Sequence, residues 1–247
     1  MTIHQPPVTR DGDRITVFEP PDEPYRLAAF DLYRDIHKGI RAELFAITST
    51  AGSLDPTVRV DREAIADHVA AVGETLRRHA HHEDQFVDPV LVEHAPVLAE
   101  KVTSDHDQLE RRFDGLELLA REAVDSAAVD HRRMIHLLYL ELATFTSAYL
   151  THQNIEERVI MPTLERAIGP AAVQAIDEAI VASIPPDEIA RTLSFMLPAM
   201  NTVDRVEMLT GMRQSAPPEA FAAVVDLARS VLSTADVVAL ESRMVLS

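Results

Sequence analysis

The sequence contains no cysteine, and only 7 of its 247 residues are glycine. The absence of cysteine excludes disulfides, iron–sulfur clusters and thiolate-ligated zinc sites. The scarcity of glycine and of long β-branched runs disfavours a sheet protein and favours helices. Hydrophobic residues make up 47% of the chain, which is enough for a sizeable core, although only 5% of the residues are aromatic. The composition therefore predicts a helical protein with one well-packed domain and an appendage, or with two small domains.

Basic residues and long apolar runs are also scarce. Lysine and arginine number 23 against 40 aspartates and glutamates, which gives a formal net charge of −17. Such an acidic surface repels nucleic acid and anionic lipid, so we expect neither as a partner. No apolar stretch approaches the ~20 residues of a membrane helix. Residues 1–24 are polar and rich in proline, unlike a signal peptide. We therefore expect a cytoplasmic protein that does not bind membranes.

Four long segments carry apolar residues at alternating gaps of three and four, which is the pattern of helices in a bundle. The predicted helices span about residues 24–50, 62–87, 96–123 and 130–161. Because long helices joined by short loops pack as antiparallel neighbours, we predict an all-α fold with an up-down-up-down four-helix bundle at residues 24–165. Residues 1–23 are predicted to form a loose N-terminal arm. Residues 166–247, which prolines divide into shorter helices, are predicted to form an α-helical extension packed on the bundle.

Histidine or glutamate interrupts the apolar stripe of each predicted long helix. In chain order these residues are His37, His79, Glu83, His106, His152 and Glu156. An unpaired histidine or carboxylate in a core costs several kcal/mol, so a core tolerates these residues only if something binds them together. Each of the two glutamates follows a histidine by four residues. Side chains at that spacing lie on one helix face, one turn apart, where they can chelate or bridge a metal.

The two histidine–glutamate pairs also lie in similar segments, because Pro89 and Pro162 each follow the glutamate by six residues. This similarity indicates a pseudo-repeat of two helix hairpins. In an up-down-up-down bundle the second and fourth helices run parallel, so both pairs lie near the same end. His106, about ten residues into the third helix, lies at a similar height. The arrangement predicts one layer that holds all these side chains.

The complete pattern of His, His-x-x-x-Glu, His and His-x-x-x-Glu over about residues 25–165 resembles the hemerythrin-like family. The resemblance implies two iron ions, bridged by both carboxylates and by an oxo or hydroxo group, with the six residues as ligands. Oxygen-carrying hemerythrins have a second histidine four residues after that of the third helix, where this sequence has Glu110. Their last carboxylate follows its histidine by five residues rather than four. Glu110 is therefore predicted to be either a seventh metal ligand or an acceptor for a histidine N–H.

Both departures argue against simple reversible oxygen carriage. Four imidazoles with two or three carboxylates suit iron, with zinc and manganese as competitors. We therefore expect a non-haem di-iron protein that binds or turns over hydrogen peroxide, oxygen or nitric oxide in redox-stress handling, with an unidentified electron donor. The alternative is a non-enzymatic metal-binding or iron- and oxygen-sensing module that acts through a protein partner. Tyr33 and Tyr149 are interpreted as core residues, although either hydroxyl could reach the metal pocket.

Overall fold

The computed structural model describes residues 27–244, which form helices with no β-strand among them. The predicted all-α fold is therefore confirmed. The helices in chain order are α1 (Arg34–Ser53), α2 (Arg59–Phe86), α3 (Asp88–His94), α4 (Pro96–Asp125), α5 (His131–Ile155), a π-helical segment (Glu156–Ile160), α6 (Met161–Ile168), α7 (Pro170–Ser183), α8 (Pro186–Ala199), α9 (Thr202–Ser215), α10 (Pro218–Val231) and α11 (Thr234–Met244). The predicted arm at residues 1–23 lies outside the described residues. Within residues 27–244, no helix is both long and apolar enough to span a membrane.

The four long helices α1, α2, α4 and α5 pack around one apolar cluster. Helices α2 and α5 each contact both α1 and α4, so every long helix has two long neighbours. The larger side chains of this cluster, called here the main core, are Ile40, Leu44, Ile47, Ile65, Val69, Val72, Leu76, Leu109, Phe113, Leu116, Ile135, Leu138, Leu142, Phe145 and Tyr149. Their spacing of three and four residues along each helix is the reason that one stripe per helix is buried.

A second apolar cluster lies further along the same helices. Its larger side chains are Tyr33, Val87, Leu91, Leu98, Val102, Ile155, Ile160, Met161, Leu164 and Val173. It includes residues of α3, which occupies a segment where no helix was predicted. Pro89 lies in the first turn of α3, where a missing backbone N–H costs nothing, while α2 ends before it at Phe86. The second cluster therefore covers one end of the long helices.

The fourth long helix does not end at Pro162, so that part of the prediction is wrong. The π-helical segment follows α5 directly, and the N–H of Met161 bonds to the carbonyl of Glu156, five residues earlier. This wider turn shifts the hydrogen-bond ladder just before the proline. Pro162 then occupies the first turn of α6, where it is tolerated. The first helix is also shorter than predicted, because residues 27–33 are not helical.

The C-terminal helices have a small core of their own and also pack on α1. That core contains Leu193, Met196, Leu197, Met200, Leu209, Leu232 and Leu240. Helix α8 lies against α1 at Gly39, where an added Cβ would come within 2.7 Å of the Phe195 ring. Only a residue without a side chain allows this approach. The exact boundary between a bundle at residues 24–165 and an extension at residues 166–247 stays a prediction.

Helices α8 to α11 form two similar helical pairs. Both pairs open with two prolines, Pro217 follows Pro185 by 32 positions, and α8 and α10 each contain 14 residues. The second helix of each pair has an aspartate at its third position. Each of these aspartates forms an ion pair with a basic side chain from an earlier helix. Lys38 of α1 contacts Asp204, and Arg205 of α9 donates to Asp236 at 2.7 Å. Equivalent contacts therefore attach the first pair to α1 and the second pair to the first.

Candidate metal centre

The six predicted ligand residues of the repeated motif converge in one buried layer. On each long helix they lie between residues of the main core and residues of the second cluster. All are at most 9% exposed, and His37 and Glu156 are completely buried. This set, called here the His/Glu layer, consists of His37, His79, Glu83, His106, His152 and Glu156. The interruption of the apolar stripes therefore reflects a polar layer enclosed between two apolar clusters.

The layer divides into two groups that share their carboxylates. In each group, one potential ligand atom from every residue lies within 4.8 Å of those from the others. The groups are His37, His79, Glu83 and Glu156, and Glu83, His106, His152 and Glu156. Each group thus has two histidines of its own. We call the space within the first group the first position and the space within the second group the second position.

The two carboxylates each face both histidine pairs. Glu83 places Oε1 3.6 Å from Nε2 of His79 and Oε2 3.2 Å from Nε2 of His106. Glu156 places Oε2 3.4 Å from Nε2 of His37 and Oε1 2.8 Å from Nε2 of His152. Each carboxylate therefore directs one oxygen to each position, as a carboxylate that bridges two metal ions does.

The two carboxylates of the layer lack the hydrogen bonds that would otherwise explain their burial. Both oxygens of Glu83, both oxygens of Glu156 and Nε2 of His106 are buried without a well-oriented hydrogen-bond partner. Burying carboxylates in this way is costly unless a cation or a donor compensates. Metal ions at the two positions would satisfy all these atoms together. Imidazole nitrogens with carboxylate oxygens form a donor set that fits iron, zinc or manganese.

The protonation of the layer depends on contacts within it. Burial and the nearby carboxylate of Glu156 raise the pKa of Glu83 to about 7. Burial also acts to raise the pKa of Glu156, but the charge of His152 and the close contacts of His106 and His152 hold it well below its ordinary value. Burial disfavours the charged form of His106, yet Asp84, Glu156 and Glu83 together raise its pKa to about 12. The negative charge of Glu156 thus favours a positive charge in the layer, which protonated histidines supply here and a bound metal ion would supply in their place.

Glu157 and Arg41 hold the imidazole of His37 in place. Oε1 of Glu157 lies 3.0 Å from Nδ1 of His37, on the opposite side of the ring from the layer. Arg41 grips the same carboxylate with two hydrogen bonds of 2.7 and 2.9 Å. An acceptor at Nδ1 fixes the ring so that Nε2 faces inward, which is how carboxylates commonly orient metal-binding histidines.

Asp84 holds His106 in the same way. Its Oδ1 lies 2.9 Å from Nδ1 of His106, while Nε2 of that ring faces Glu83. Among residues 27–244, no arginine forms an ion pair with Asp84, whose side chain is 54% exposed. The carboxylates that orient the two histidines therefore differ. Glu157 at the first position is part-buried and bound by Arg41, whereas Asp84 at the second position is open to solvent.

Neither Asp84 nor Glu157 was identified from the sequence as a partner of the layer. Glu157 directly follows Glu156 in the chain. The π-helical segment brings both glutamates against the site, and its wider turn leaves no signature in the apolar spacing. Asp84 directly follows Glu83, but adjacent residues of a helix point about 100° apart, so the motif did not indicate its contact with His106.

Glu110 lies outside both groups. Its side chain is exposed and lines a surface cleft between α2, α4 and α5. Although Glu110 follows His106 by one helical turn, its exposed side chain takes part in neither group. The structure thus brings together six of the seven predicted ligands. The acceptor beside the His106 ring is Asp84 instead.

Two buried tyrosines pack on the histidines of the layer. The ring of Tyr33 stacks on His37 with centroids 4.8 Å apart, and the ring of Tyr149 meets His152 edge to face at 5.6 Å. Burial and the carboxylates of Glu83 and Glu156 raise the pKa of both hydroxyls well above the ordinary value. Both tyrosines therefore pack as neutral rings that can donate a hydrogen bond toward the layer.

Comparison with known proteins agrees with this arrangement. A family model described as the hemerythrin HHE cation binding domain matches residues 28–164. No curated protein and no solved structure gives a significant match. The matched segment covers more than half of the chain and contains the whole His/Glu layer. The resemblance inferred from the motif is confirmed, and the chain belongs to the hemerythrin HHE cation-binding domain family.

Proposed function

We propose that this protein is a hemerythrin-like four-helix bundle that holds two iron ions and binds or turns over a small oxidant in redox-stress handling. The observation that carries the proposal is the position of the two buried carboxylates. Glu83 and Glu156 each direct one oxygen to His37 or His79 and the other to His106 or His152. A structural site for a single ion would not need two carboxylates shared between two histidine pairs.

The donor set leaves room for an external ligand. His37 and His79 would hold one ion and His106 and His152 the other, with both carboxylates shared. Two imidazoles and two carboxylate oxygens make four ligands per ion, whereas iron commonly binds about six. A pair of iron ions, when bound, supplies one-electron redox chemistry and coordination positions for hydrogen peroxide, oxygen or nitric oxide.

The protein would tune this site through residues around the ligands. Arg41 and Glu157 orient His37, and Asp84 orients His106. The main core and the second cluster enclose the layer and limit its contact with bulk water. The sequence has no cysteine that could deliver electrons, so net reduction of oxygen, nitric oxide or peroxide would need an external electron donor.

Metal analysis and optical spectroscopy test the proposal. We expect the anaerobically purified protein to take up two Fe²⁺ per chain. Oxidation should produce near-ultraviolet absorption that changes on addition of peroxide or nitric oxide. Colourless protein that retains one tightly bound zinc ion and ignores all three oxidants would contradict the proposal.

A non-enzymatic iron- or oxygen-sensing module is the second candidate. It is favoured by the close packing of Gly39 on Phe195, because Gly39 lies two residues after His37 and joins the metal layer to the C-terminal helices. Under this function, oxidation of the iron would change hydrogen exchange in α8 and α9 without net consumption of oxidant. Peroxide consumption over many cycles with unchanged exchange would favour the enzyme.

A further inference from the structure

A cleft of about 330 Å³ opens between α2, α4 and α5 and is lined by both apolar and polar side chains. The buried side chains that line it are Leu76, Leu109, Phe113, Phe145 and Tyr149. His106 also lines the cleft and is the member of the His/Glu layer that does so. A space of this size holds roughly ten water molecules at ~30 Å³ each. Small oxidants therefore fit easily, and the size of the cleft does not select among them.

The residues that line the cleft include His106 of the second position and neither histidine of the first. The ring of His106 lies 5.0 Å from that of His152, centroid to centroid, and Tyr149, which lines the cleft, packs on His152. The first position is covered on its own side, where Tyr33 stacks on His37 and Glu157 with Arg41 closes the outer face. The two positions therefore differ in access as well as in their outer hydrogen bonds.

The mouth of the cleft is acidic. Asp84, Asp107 and Glu110 line it and are exposed. Arg77 also lines it, but its guanidinium donates two hydrogen bonds of 3.0 and 2.7 Å to Glu117, which neutralise it locally. Within residues 27–244, neither Asp107 nor Glu110 forms an ion pair. A small anion that approaches this opening is therefore repelled, whereas an uncharged molecule is not.

We propose that this cleft is the ligand entrance of the protein and that it admits uncharged small molecules to the second position while it discriminates against anions. The proposal rests on the proposed function, because it concerns access to the same layer. It defines the chemical class of the ligand as neutral molecules of a few atoms, such as hydrogen peroxide, oxygen and nitric oxide. Anions such as nitrite, superoxide or azide enter slowly. Glu110, which lies outside the metal layer, acts as part of this charge filter.

A bulky residue in the cleft tests the route. Ala80 lines the cleft, and Ser147 lines a shallow groove on α5 that contains no histidine, so Ala80→Trp and Ser147→Trp form a matched pair. We expect Ala80→Trp to slow nitric oxide binding to the Fe²⁺-loaded protein by roughly 10-fold or more, and Ser147→Trp to leave the rate unchanged. If Ala80→Trp does not fold with full iron content, Thr103→Trp fills the opposite wall. Unchanged rates in a folded, iron-replete cleft variant would overturn the route.

A charge reversal tests the filter. Glu110 and Glu122 are both exposed on α4, but only Glu110 lines the cleft. We expect Glu110→Lys to accelerate azide binding to the oxidised protein by roughly 3- to 10-fold, while Glu122→Lys has less than about a 2-fold effect. In the wild type, added salt should accelerate azide binding and leave nitric oxide binding unchanged. Equal effects of the two substitutions on azide would show that overall charge, and not the cleft, sets the rate.

Xenon binding separates this inference from the proposed function. Crystals of the full chain, as purified, are pressurised with xenon, which enters apolar cavities whether or not iron is present. We expect xenon density beside Leu76, Phe113 and Phe145, and its loss in Ala80→Trp. Xenon in the cleft of a protein that binds no iron would support the cleft and contradict the proposed function. An iron-replete protein without xenon in the cleft would leave the proposed function intact and overturn the entrance.

Discussion

The main core and the His/Glu layer lie on the same four helices and are buried to the same degree, yet they are built from opposite kinds of side chain. Leu44, Leu138 and Leu142 are completely buried in the main core, as His37 and Glu156 are in the layer. Burial of the leucines stabilises the fold by roughly 25 cal/mol per Å² without any partner. Burial of the histidines and glutamates stabilises it only if a donor, an acceptor or a cation compensates for lost hydration.

This difference indicates that the main core and the His/Glu layer have different roles in the same helices. The main core holds the four helices at a fixed spacing whether or not a metal is present. The layer uses that spacing to bring side chains from distant segments to within 4.8 Å of one another. The protein should therefore respond in opposite ways to substitutions in the two regions, which the following experiments test.

The largest effect is expected from removing a histidine of the layer. His152→Ala should abolish binding of the second iron and the stabilisation that iron provides, about 4 kcal/mol at a free metal concentration ~1,000-fold above Kd. His136 lies on the same helix and is exposed, so His136→Ala is the matched control. Iron content and melting temperature, with and without Fe²⁺, measure the effect. An iron-dependent rise in melting temperature in His152→Ala equal to that of the wild type would mean that this residue is not a ligand.

A cavity in the main core should have the opposite effect, because it should lower the stability of the metal-free protein and leave iron binding unchanged. Leu142→Ala is expected to lower the free energy of unfolding by about 3 kcal/mol, within the range for buried leucines. The folded fraction should still bind as much iron as the wild type, because Leu142 belongs to the main core and precedes His152 by ten residues on α5. Urea unfolding of the metal-free protein gives the first quantity and metal analysis the second. Proportional loss of iron would show that the two regions do not act separately.

The residue outside His37 should have an intermediate effect, confined to the metal. Glu157→Ala removes the acceptor at Nδ1 of His37 and is expected to weaken iron binding by roughly 10- to 100-fold. Glu141→Ala, an exposed glutamate on α5, provides the comparison. Competition with a chelator of known affinity measures both variants. Identical iron affinities in the two variants would mean that Glu157 only forms an ion pair with Arg41 and does not support metal binding by His37.

The smallest effect concerns the close approach of α2 and α4 beside the main core. An added Cβ at Gly73 would lie 2.1 Å from Oε1 of Glu117 and 2.8 Å from the Phe113 ring, whereas at Gly115 it would meet nothing within 4 Å. Gly73→Ala should therefore destabilise the protein by about 1–2 kcal/mol. Gly115→Ala should stabilise it by about 0.5–1 kcal/mol through helix propensity. Thermal unfolding compares the two, and a stabilising Gly73→Ala would show that Glu117 moves away without cost.

The sequence predicted the all-α fold and the convergence of six polar residues because both follow from periodicity. A buried stripe repeats every three to four residues, so a histidine in that stripe is visible as an exception. The bounds of the second and third long helices were close to those observed, at Arg59–Phe86 and Pro96–Asp125. The short helix α3 and the passage through Pro162 were missed, because prolines that end one helix can also begin the next.

The surroundings of the layer were not predictable in this way. Asp84 and Glu157 each follow a glutamate of the motif, and adjacent positions on a helix point about 100° apart. Only the three-dimensional arrangement shows that Asp84 reaches His106 and that the π-helical segment turns Glu157 toward His37 and Arg41. Glu110 has the same spacing from a histidine as Glu83 and Glu156, yet its side chain is exposed and lies outside both groups, which only the packing of α4 shows.

The sequence alone determined that the protein is helical, that its motif is that of the hemerythrin HHE cation-binding domain family and that histidine and glutamate side chains share a layer. These properties depend on local periodicity and on the spacing of the motif, both of which the sequence contains in full. The tertiary structure decided which oxygen faces which histidine, which carboxylates hold the imidazoles from outside, and which histidine of the layer lines the cleft. Such features depend on how helices that lie far apart in the chain pack against one another, which the spacing within one helix does not specify.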